Sequence, residues 1–288
     1  MENLLLDVTP RAAIHHGFTN IYGDSVDDLV RQGIHNIVKE GRKIKSRAGD
    51  AMQAYGVNYI LKDPRSRVHS LRNGAKRYLC RELLAYFSGS LKAENGLANA
   101  SKFWMTLTDK DGNVNSNYGY YVFYEPVEKY GNQYNWIVSM LKSNQDSRRA
   151  IININQNYHK SDTKDFPCTI GMQFFIRENH LFCETISRST DVITGLPYDM
   201  GFFSFVHELV HSDLVSQGYD DLQLGSTIMK TTFTQIYDNA MEKAKDAMNG
   251  RGDTEMMPEI SSAKDTLGDI YAGSAKTDVI KWIYENAE

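Results

Sequence analysis

The sequence predicts an α+β fold in a single domain. Helical and strand periodicities alternate irregularly along 288 residues, without the regular strand–helix–strand rhythm of a doubly wound sheet. No internal repeat or linker divides the chain, and its length suits one large domain spanning residues 1–288. Hydrophobic residues at 41% and charged residues at 24% supply one sizeable core and a solvated surface.

Ser25, followed three residues later by Asp28, reads as a capping box. It opens a helix whose apolar positions are Val26, Leu29, Val30, Ile34, Ile37 and Val38, and the basic stretch 41–47 ends it. Residues 78–87 read as a buried helix stopped by Ser88-Gly89, and 109–113 as a turn. A helix is expected at 134–141, then strands at 150–155, 171–176 and 181–187. Residues 201–215 are apolar at helical spacing, 220–225 form a loop, and 228–236 make one more strand.

Lys and Arg number 32 against 36 Asp and Glu, a net charge of −4. This excludes the broad basic field of a non-specific nucleic-acid binder. No apolar run approaches the roughly 20 residues of a membrane span. Residues 1–10 carry Leu4-Leu5-Leu6 and then Asp7, with no basic start, so no secretion leader is expected. Three cysteines, Cys80, Cys168 and Cys183, without a Cys-x-x-Cys pair, read as free thiols in a reducing compartment. The expected location is cytoplasmic.

His207-Glu208-Leu209-Val210-His211 matches the His-Glu-x-x-His pattern of zinc peptidases. Two His at i and i+4 share a helix face, but a catalytic zinc needs a third protein ligand. None follows in Ser212 to Gln217, so no metal is expected and the peptidase stays as an outside alternative. Arg251-Gly252-Asp253 and the sequon Asn99-Ala100-Ser101 lack a secretory context. Asp109-Lys110-Asp111-Gly112 places its Gly too early for a calcium loop.

Four blocks carry the chemistry. Ser147-Arg148-Arg149 offers an oxyanion or phosphate clamp. Asp165-Phe166-Pro167-Cys168-Thr169 offers a thiol, Arg188-Ser189-Thr190-Asp191 another Arg beside a Ser, and Gly195-Leu196-Pro197-Tyr198-Asp199 a turn ending in a carboxyl. A lone thiol is usually an inert core group. The neighbouring Arg residues reverse that reading for Cys168 and should lower its pKa, while Cys80 and Cys183 stay in the core.

In order and spacing these blocks resemble the thymidylate synthase family, whose pattern has Ser-Arg-Arg, Pro-Cys, Arg-Ser-x-Asp-Val and Gly-x-Pro-Phe-Asn. Glu82-Leu83-Leu84, Trp104, Asp111-Gly112 and Tyr118-Gly119 extend the resemblance, as do Gln235-Ile236-Tyr237 and, loosely, Ser46-Arg47-Ala48-Gly49. It covers about residues 27–240, with divergent segments on either side. It implies a mixed sheet packed with helices, one sheet face forming a two-fold homodimer.

Two departures point to the deoxycytidylate 5-hydroxymethylase branch: Thr169 where synthases have His, and Asp199 where they have Asn. Cytosine presents an N3 acceptor and an N4–H2 donor, and a neutral Asp complements both with O–H and C=O. Uracil instead suits an Asn amide. The resemblance implies Cys168 as nucleophile at C6 of the pyrimidine, Glu82 as general acid/base through water, Tyr118 positioning Cys168 or the base, and Asp199 reading the base. The cofactor it implies is 5,10-methylenetetrahydrofolate, packed against Trp104 and near Asp191. The phosphate falls to Arg47, Arg188 and Ser189, with Arg148 and Arg149 reaching over from the partner subunit. Asp191, Gln235 and Tyr237 complete the nucleotide site, Gln235 standing where the family has a sugar-contacting His. The expected product is 5-hydroxymethyl-dCMP. CMP hydroxymethylation, C5-methylation and a degenerate nucleotide or RNA binder stand as alternatives. The chain's last residues, 284–288, lack the synthases' apolar closing tail, which is compatible with water reaching the reaction. No direct nucleic-acid or membrane partner is expected. The branch further implies a phage role in DNA modification and, for a phage-encoded member, the host cytoplasm.

Overall fold

The computed structural model describes residues 17–46, 49–161, 163–252 and 255–288. Residues 1–10, Arg47 and Asp253, which figure in the sequence expectations, lie outside the described residues.

Two parallel strand pairs, each bridged by a buried helix, build the centre of a seven-stranded mixed sheet in the order β1-β3-β9-β8-β7-β6. In the first, β1 (Thr19–Gly23) leads through α1 (Val26–Glu40) to its parallel neighbour β3 (Gly49–Leu61). In the second, β8 (His180–Asp191) leads through α4 (Leu196–Ser216) to parallel β9 (Gln223–Tyr237). A parallel pair needs such a crossover because the chain must travel back along the sheet. Strands β3 and β9 pair antiparallel where the halves meet. Beyond β8 come β7 (Thr169–Arg177) and β6 (Ile151–Asn153), both antiparallel, while β2 (Arg42–Ser46) pairs antiparallel with the start of β3. A short hairpin, β4 (Pro126–Val127) and β5 (Gly131–Asn132), leads into α3 (Gln133–Ser143).

The α1 capping box forms as the sequence predicts: Ser25 Oγ accepts the Asp28 N–H at 3.2 Å and Asp28 Oδ2 accepts the Ser25 N–H at 3.1 Å. Helix α4 carries apolar residues on every side through most of its length, and residues 196–210 lie largely inside the molecule. It meets α2 (Ala75–Phe87) closely at Gly201, where a Cβ would stand 2.5 Å from Leu79 Cδ1. Three further helices, α5 (Met241–Asn249), α6 (Ala263–Ala272) and α7 (Asp278–Ala287), close the chain, and α7 packs on α2. Arg81 Nε of α2 donates to the Ala287 carbonyl at 2.6 Å.

The other sheet face keeps Tyr55, Ile170, Ile186 and Phe233 exposed, with Tyr55 directly opposite Phe233 across the β3–β9 pair. Among the described residues no helix is long and apolar enough to cross a membrane.

The His-Glu-x-x-His segment is core of α4. Fully buried His207 shares a hydrogen through Nδ1 with Thr227 Oγ1 at 2.9 Å and donates from Nε2 to the Leu181 carbonyl at 2.9 Å. Burial pushes its pKa down to about 3. His211 Nε2 donates to the Leu222 carbonyl at 2.8 Å. Glu208 is paired with buried Arg67 and, at 2.9 Å, with Arg65, and it accepts the Ile260 N–H at 3.2 Å. The nitrogens and carboxylate a metal would need are consumed by the fold. Among the described residues no group of three potential ligands comes together.

Candidate active site

The parallel β8–β9 pair sends both strands' C-terminal ends, Asp191 and Tyr237, to one edge of the sheet. Antiparallel β7 begins at that edge with Thr169 opposite Ser187, so Cys168 just precedes it. The turn after β8 enters α4 there, placing Asp199 in the helix's first turn.

Arg188 braces the Cys168 loop. Its backbone N–H donates to the Cys168 carbonyl at 2.9 Å, its Nε to Pro167 O at 3.1 Å and its Nη2 to Phe166 O at 2.6 Å. The guanidinium also stacks 5.2 Å from the Phe166 ring centre. Burial pushes the Cys168 thiol up to about 11; the Arg188 charge opposes this, and Asp199 and Asp165 add to it. Among the described residues of this chain Arg188 alone supplies an opposing charge, and burial outweighs it. The thiol is therefore held protonated at neutral pH.

Arg148 and Arg149 are exposed and do not join this group. The Arg149 guanidinium sits 5.2 Å from the Trp136 ring centre, and the Arg148 carbonyl lies 3.5 Å from Gln173 Nε2.

Tyr118 stands among Cys168, Asp199 and Thr169. Burial raises its pKa well above the ordinary value, the Asp199 and Cys168 charges add to this, and a hydrogen bond with Thr169 opposes it. Its ring stacks on Tyr86 at 5.6 Å and on Phe203 at 6.1 Å. The approach requires Gly119, because a Cβ there would lie 2.0 Å from the Tyr86 carbonyl oxygen.

Two carboxyls share the pocket. Burial, then the Asp199 charge, pushes Glu82 up to about 8, against a hydrogen bond from Tyr78 Oη to Glu82 Oε1 at 2.9 Å. Burial pushes Asp199 up to about 7. The positive end of α4 favours the Asp199 anion, but burial prevails. Asp199 makes no side-chain hydrogen bond among the described residues, which leaves its carboxyl available to a ligand.

Fully buried Thr169, standing where synthases have His, lies 3.3 Å through Oγ1 from Ser187 Oγ. Gln235 Nε2 donates to Ser189 Oγ at 2.9 Å. Tyr237 is half-buried, hydrogen-bonded to the Ser46 side chain and close to Asp191, Cys168 and Arg188. Asp191 is largely spent on the backbone: Oδ1 accepts Ile193 N–H at 2.8 Å, Thr194 N–H at 2.7 Å and Thr194 Oγ1–H at 2.9 Å, while Oδ2 has Tyr237 N–H at 3.4 Å. It shapes the turn into α4 that delivers Asp199. Trp104, on the 3-10 segment Lys102–Leu107, approaches the Tyr78 hydroxyl, and its buried indole N–H has no full hydrogen bond.

The structure thus gathers Cys168, Glu82, Tyr118, Asp199, Arg188, Ser189, Asp191, Gln235, Tyr237 and Trp104 at one edge and leaves Arg148 and Arg149 apart. Sequence reasoning missed three contributors. Tyr78 was legible as the i−4 neighbour of Glu82 on a helix. Asp165, which accepts Asn115 N–H at 2.6 Å and Ser116 N–H at 2.8 Å, carries no such local signal. Nor does Arg72, whose Nη2 donates to Tyr198 Oη at 2.7 Å and to Ile193 O at 3.2 Å in the segment leading to Asp199.

A mixed sheet around a buried helix, with a thiol, two raised carboxyls and an Arg–Ser pair at one edge, defines a class of α+β protein. The thymidylate synthase profile matches residues 21–278, and the chain belongs to the thymidylate synthase family. It is 32% identical over 166 residues to the deoxycytidylate 5-hydroxymethyltransferases of Enterobacteria phages T4 and T2, a stretch covering 56% of this chain and 66% of each relative. The protein of that name from Enterobacteria phage T6 is 32% identical over 142 residues, covering 48% of this chain and 56% of the relative. The matched stretch therefore spans slightly under two thirds of the relatives' own length.

Proposed function

We propose that the protein transfers a one-carbon unit from 5,10-methylenetetrahydrofolate to C5 of a cytidine monophosphate, dCMP by preference, and adds water to give the 5-hydroxymethyl nucleotide. One observation carries the choice of base: Asp199 is pushed up to about 7 and keeps an unbonded carboxyl beside Cys168 and Tyr118. A carboxyl that is substantially neutral near pH 7 donates O–H to cytosine N3 and accepts from N4–H2. A uracil N3–H would meet that O–H head-on and leave buried polar groups unpaired.

The residues fit the folate. The indole of Trp104, whose N–H approaches the Tyr78 hydroxyl without a full hydrogen bond, would pack against the folate. A neighbouring cleft of about 340 Å³, bordered by Asn73, Arg77, Tyr78 and Arg81, offers cations for its carboxylates. When bound, the folate supplies a carbon at the oxidation level of formaldehyde.

Asp199 orients the base and draws electron density toward N3, making C6 electrophilic. Cys168 Sγ bonds to C6 and loses its proton as the bond forms, with Arg188 favouring the thiolate. Addition at C6 makes C5 nucleophilic. Glu82, near 8, moves the C5 proton through water. Tyr118, confined between Tyr86 and Phe203, fixes the geometry of Cys168 and the base. Water completes the hydroxymethyl group, and Cys168 leaves C6. Arg47, Arg188 and Ser189 bind the phosphate, and Gln235 and Tyr237 the sugar. Arg148 and Arg149 serve the partner subunit's site in a two-fold dimer. Their exposure away from their own chain's pocket and the apolar face of Tyr55, Ile170, Ile186 and Phe233 support that arrangement. A role in phage DNA modification within a host cytoplasm fits this product.

The test is mass analysis after incubation with methylenetetrahydrofolate and dCMP, CMP or dUMP separately. A gain of CH2O on dCMP is expected. The same gain on CMP alone would move the sugar assignment, with Gln235 as discriminator. A gain of CH2 on dUMP would sink the cytosine reading, as normal turnover by Cys168→Ala would sink the mechanism.

A further inference from the structure

We propose that Tyr78 is the positioning residue of Glu82, holding its carboxyl through one hydrogen bond and tying it, through an aromatic contact with Tyr198, to the helix turn that bears Asp199. The proposal rests on the function proposed above for the role of Glu82. Tyr78, Glu82 and Tyr86 follow at intervals of four along α2 and so lie on one helix face. The Tyr78 Oη to Glu82 Oε1 bond, 2.9 Å long, is the only hydrogen bond the Glu82 carboxyl makes among the described residues. Without it the carboxyl could take other rotamers in a pocket that must place it within one water of the nucleotide.

Tyr78 is itself anchored. Its ring meets that of Tyr198 at 4.5 Å between centres. Tyr198 adjoins Asp199 in α4, and its hydroxyl receives Arg72 Nη2 at 2.7 Å. The indole of Trp104 also approaches the hydroxyl. The hydroxyl therefore sits at a junction of α2, α4 and the 3-10 segment, so a change in one of the two pocket carboxyls is transmitted to the other's support. The groups facing Glu82 are Tyr78 and Tyr86 on its own helix and Tyr198 and Asp199 on α4. Arg81, its neighbour in sequence, is turned away to the Ala287 carbonyl.

A donor to an ionised carboxylate favours ionisation, so losing the hydroxyl raises the Glu82 pKa. The test is Tyr78→Phe, which keeps the ring contact and removes the donor. The Glu82 carboxyl midpoint is read by carbon-13 NMR, assigned with Glu82→Gln. An upward shift of about one pH unit is expected, with kcat down roughly 10- to 100-fold and nucleotide KM within about twofold. The Glu82-dependent limb of the kcat profile should move in the same direction. As a second variant, 3,5-difluorotyrosine at position 78, a stronger donor, should move the midpoint down. An unchanged midpoint in both variants, or a kcat within about twofold of wild type in Tyr78→Phe, overturns the proposal. The titration needs neither nucleotide nor folate, so failure of the wild type to make a hydroxymethyl product would sink the proposed function alone.

Discussion

Asp165 accepts the Ser116 hydroxyl at 2.6 Å and thereby fastens the loop that ends in Tyr118 to the loop that presents Cys168. The same carboxylate takes two backbone N–H groups from Asn115 and Ser116. Burial raises its pKa, with those bonds and Arg188 opposing. Asp165→Asn replaces an acceptor-only group with one that presents N–H2 to N–H donors. We expect a loss of about 1–3 kcal/mol in stability, measured by denaturant unfolding. Turnover should fall further than this loss alone implies, because Tyr118 is displaced from Cys168.

On the function proposed above, base selection by Asp199 should depend on pH. Its folded pKa is raised to about 7, so the neutral form that matches cytosine is lost as pH rises through that value. KM for dCMP should rise above pH 7 in the wild type. Asp199→Asn cannot titrate, and its amide matches uracil. We expect the pH dependence of KM to vanish and the dCMP-to-dUMP preference, measured as the ratio of kcat/KM values, to fall roughly 10- to 100-fold.

Glu82 should cost stability in alkaline solution. Its folded pKa is about 8 against an ordinary 4.5, so between those values the unfolded chain releases a proton that the folded chain keeps. The folded state then weakens as pH rises through this window, and the full cost is present above 8. Glu82→Gln should be more stable than wild type at pH 9, on the order of a few kcal/mol, and nearly equal to it at pH 4. Thermal unfolding at both pH values checks the sign.

Glu208 should matter to folding and not to chemistry. Burial opposes its ionisation, but Arg67, the Ile260 N–H and Arg65 hold its pKa below the ordinary value. Glu208→Ala leaves the Arg67 guanidinium, 1% exposed, without its carboxylate. We expect a loss of about 3–5 kcal/mol, read as a lowered Tm. EDTA should leave wild-type turnover unchanged; zinc-dependent turnover would overturn this assignment.

What was legible in the sequence depended on local pattern. The α1 box, the α2 helix, the largely apolar α4 and strands β7, β8 and β9 announce themselves by spacing. The basic stretch 41–47 does not. It reads as a helix end, yet it contains edge strand β2, whose Arg42, Lys43 and Lys45 are exposed and carry no alternating apolar face. Strand β3 is interrupted by Gly56 at φ 65° and so hides its period. The final helices α5 to α7 also escaped the sequence reading. At the site, contiguous blocks such as 165–169 and 188–191 could be read directly. The pairings of Asp165 with Ser116 and of Arg72 with Tyr198 join distant segments, and no local period encodes them. Arg188 beside Cys168 was legible from its block, whereas the exposed Arg148 and Arg149 lie apart from their own chain's thiol, as a site shared between subunits would require.

The β8–α4–β9 crossover makes the pocket's address a matter of chain polarity. Any helix that returns from the end of β8 to run a parallel β9 must start where β8 stops. Its opening turn therefore lands beside the last residues of both strands. Asp199 reaches the Cys168 edge by direction of travel, and the Asp191 turn needs only to trim the angle. Side chains at 199, 235 and 237 can thus be exchanged while the route that delivers them stays intact. Lengthening the connection between 191 and 196 would shift Asp199 away from Cys168 and Tyr118 while leaving both strand ends in place.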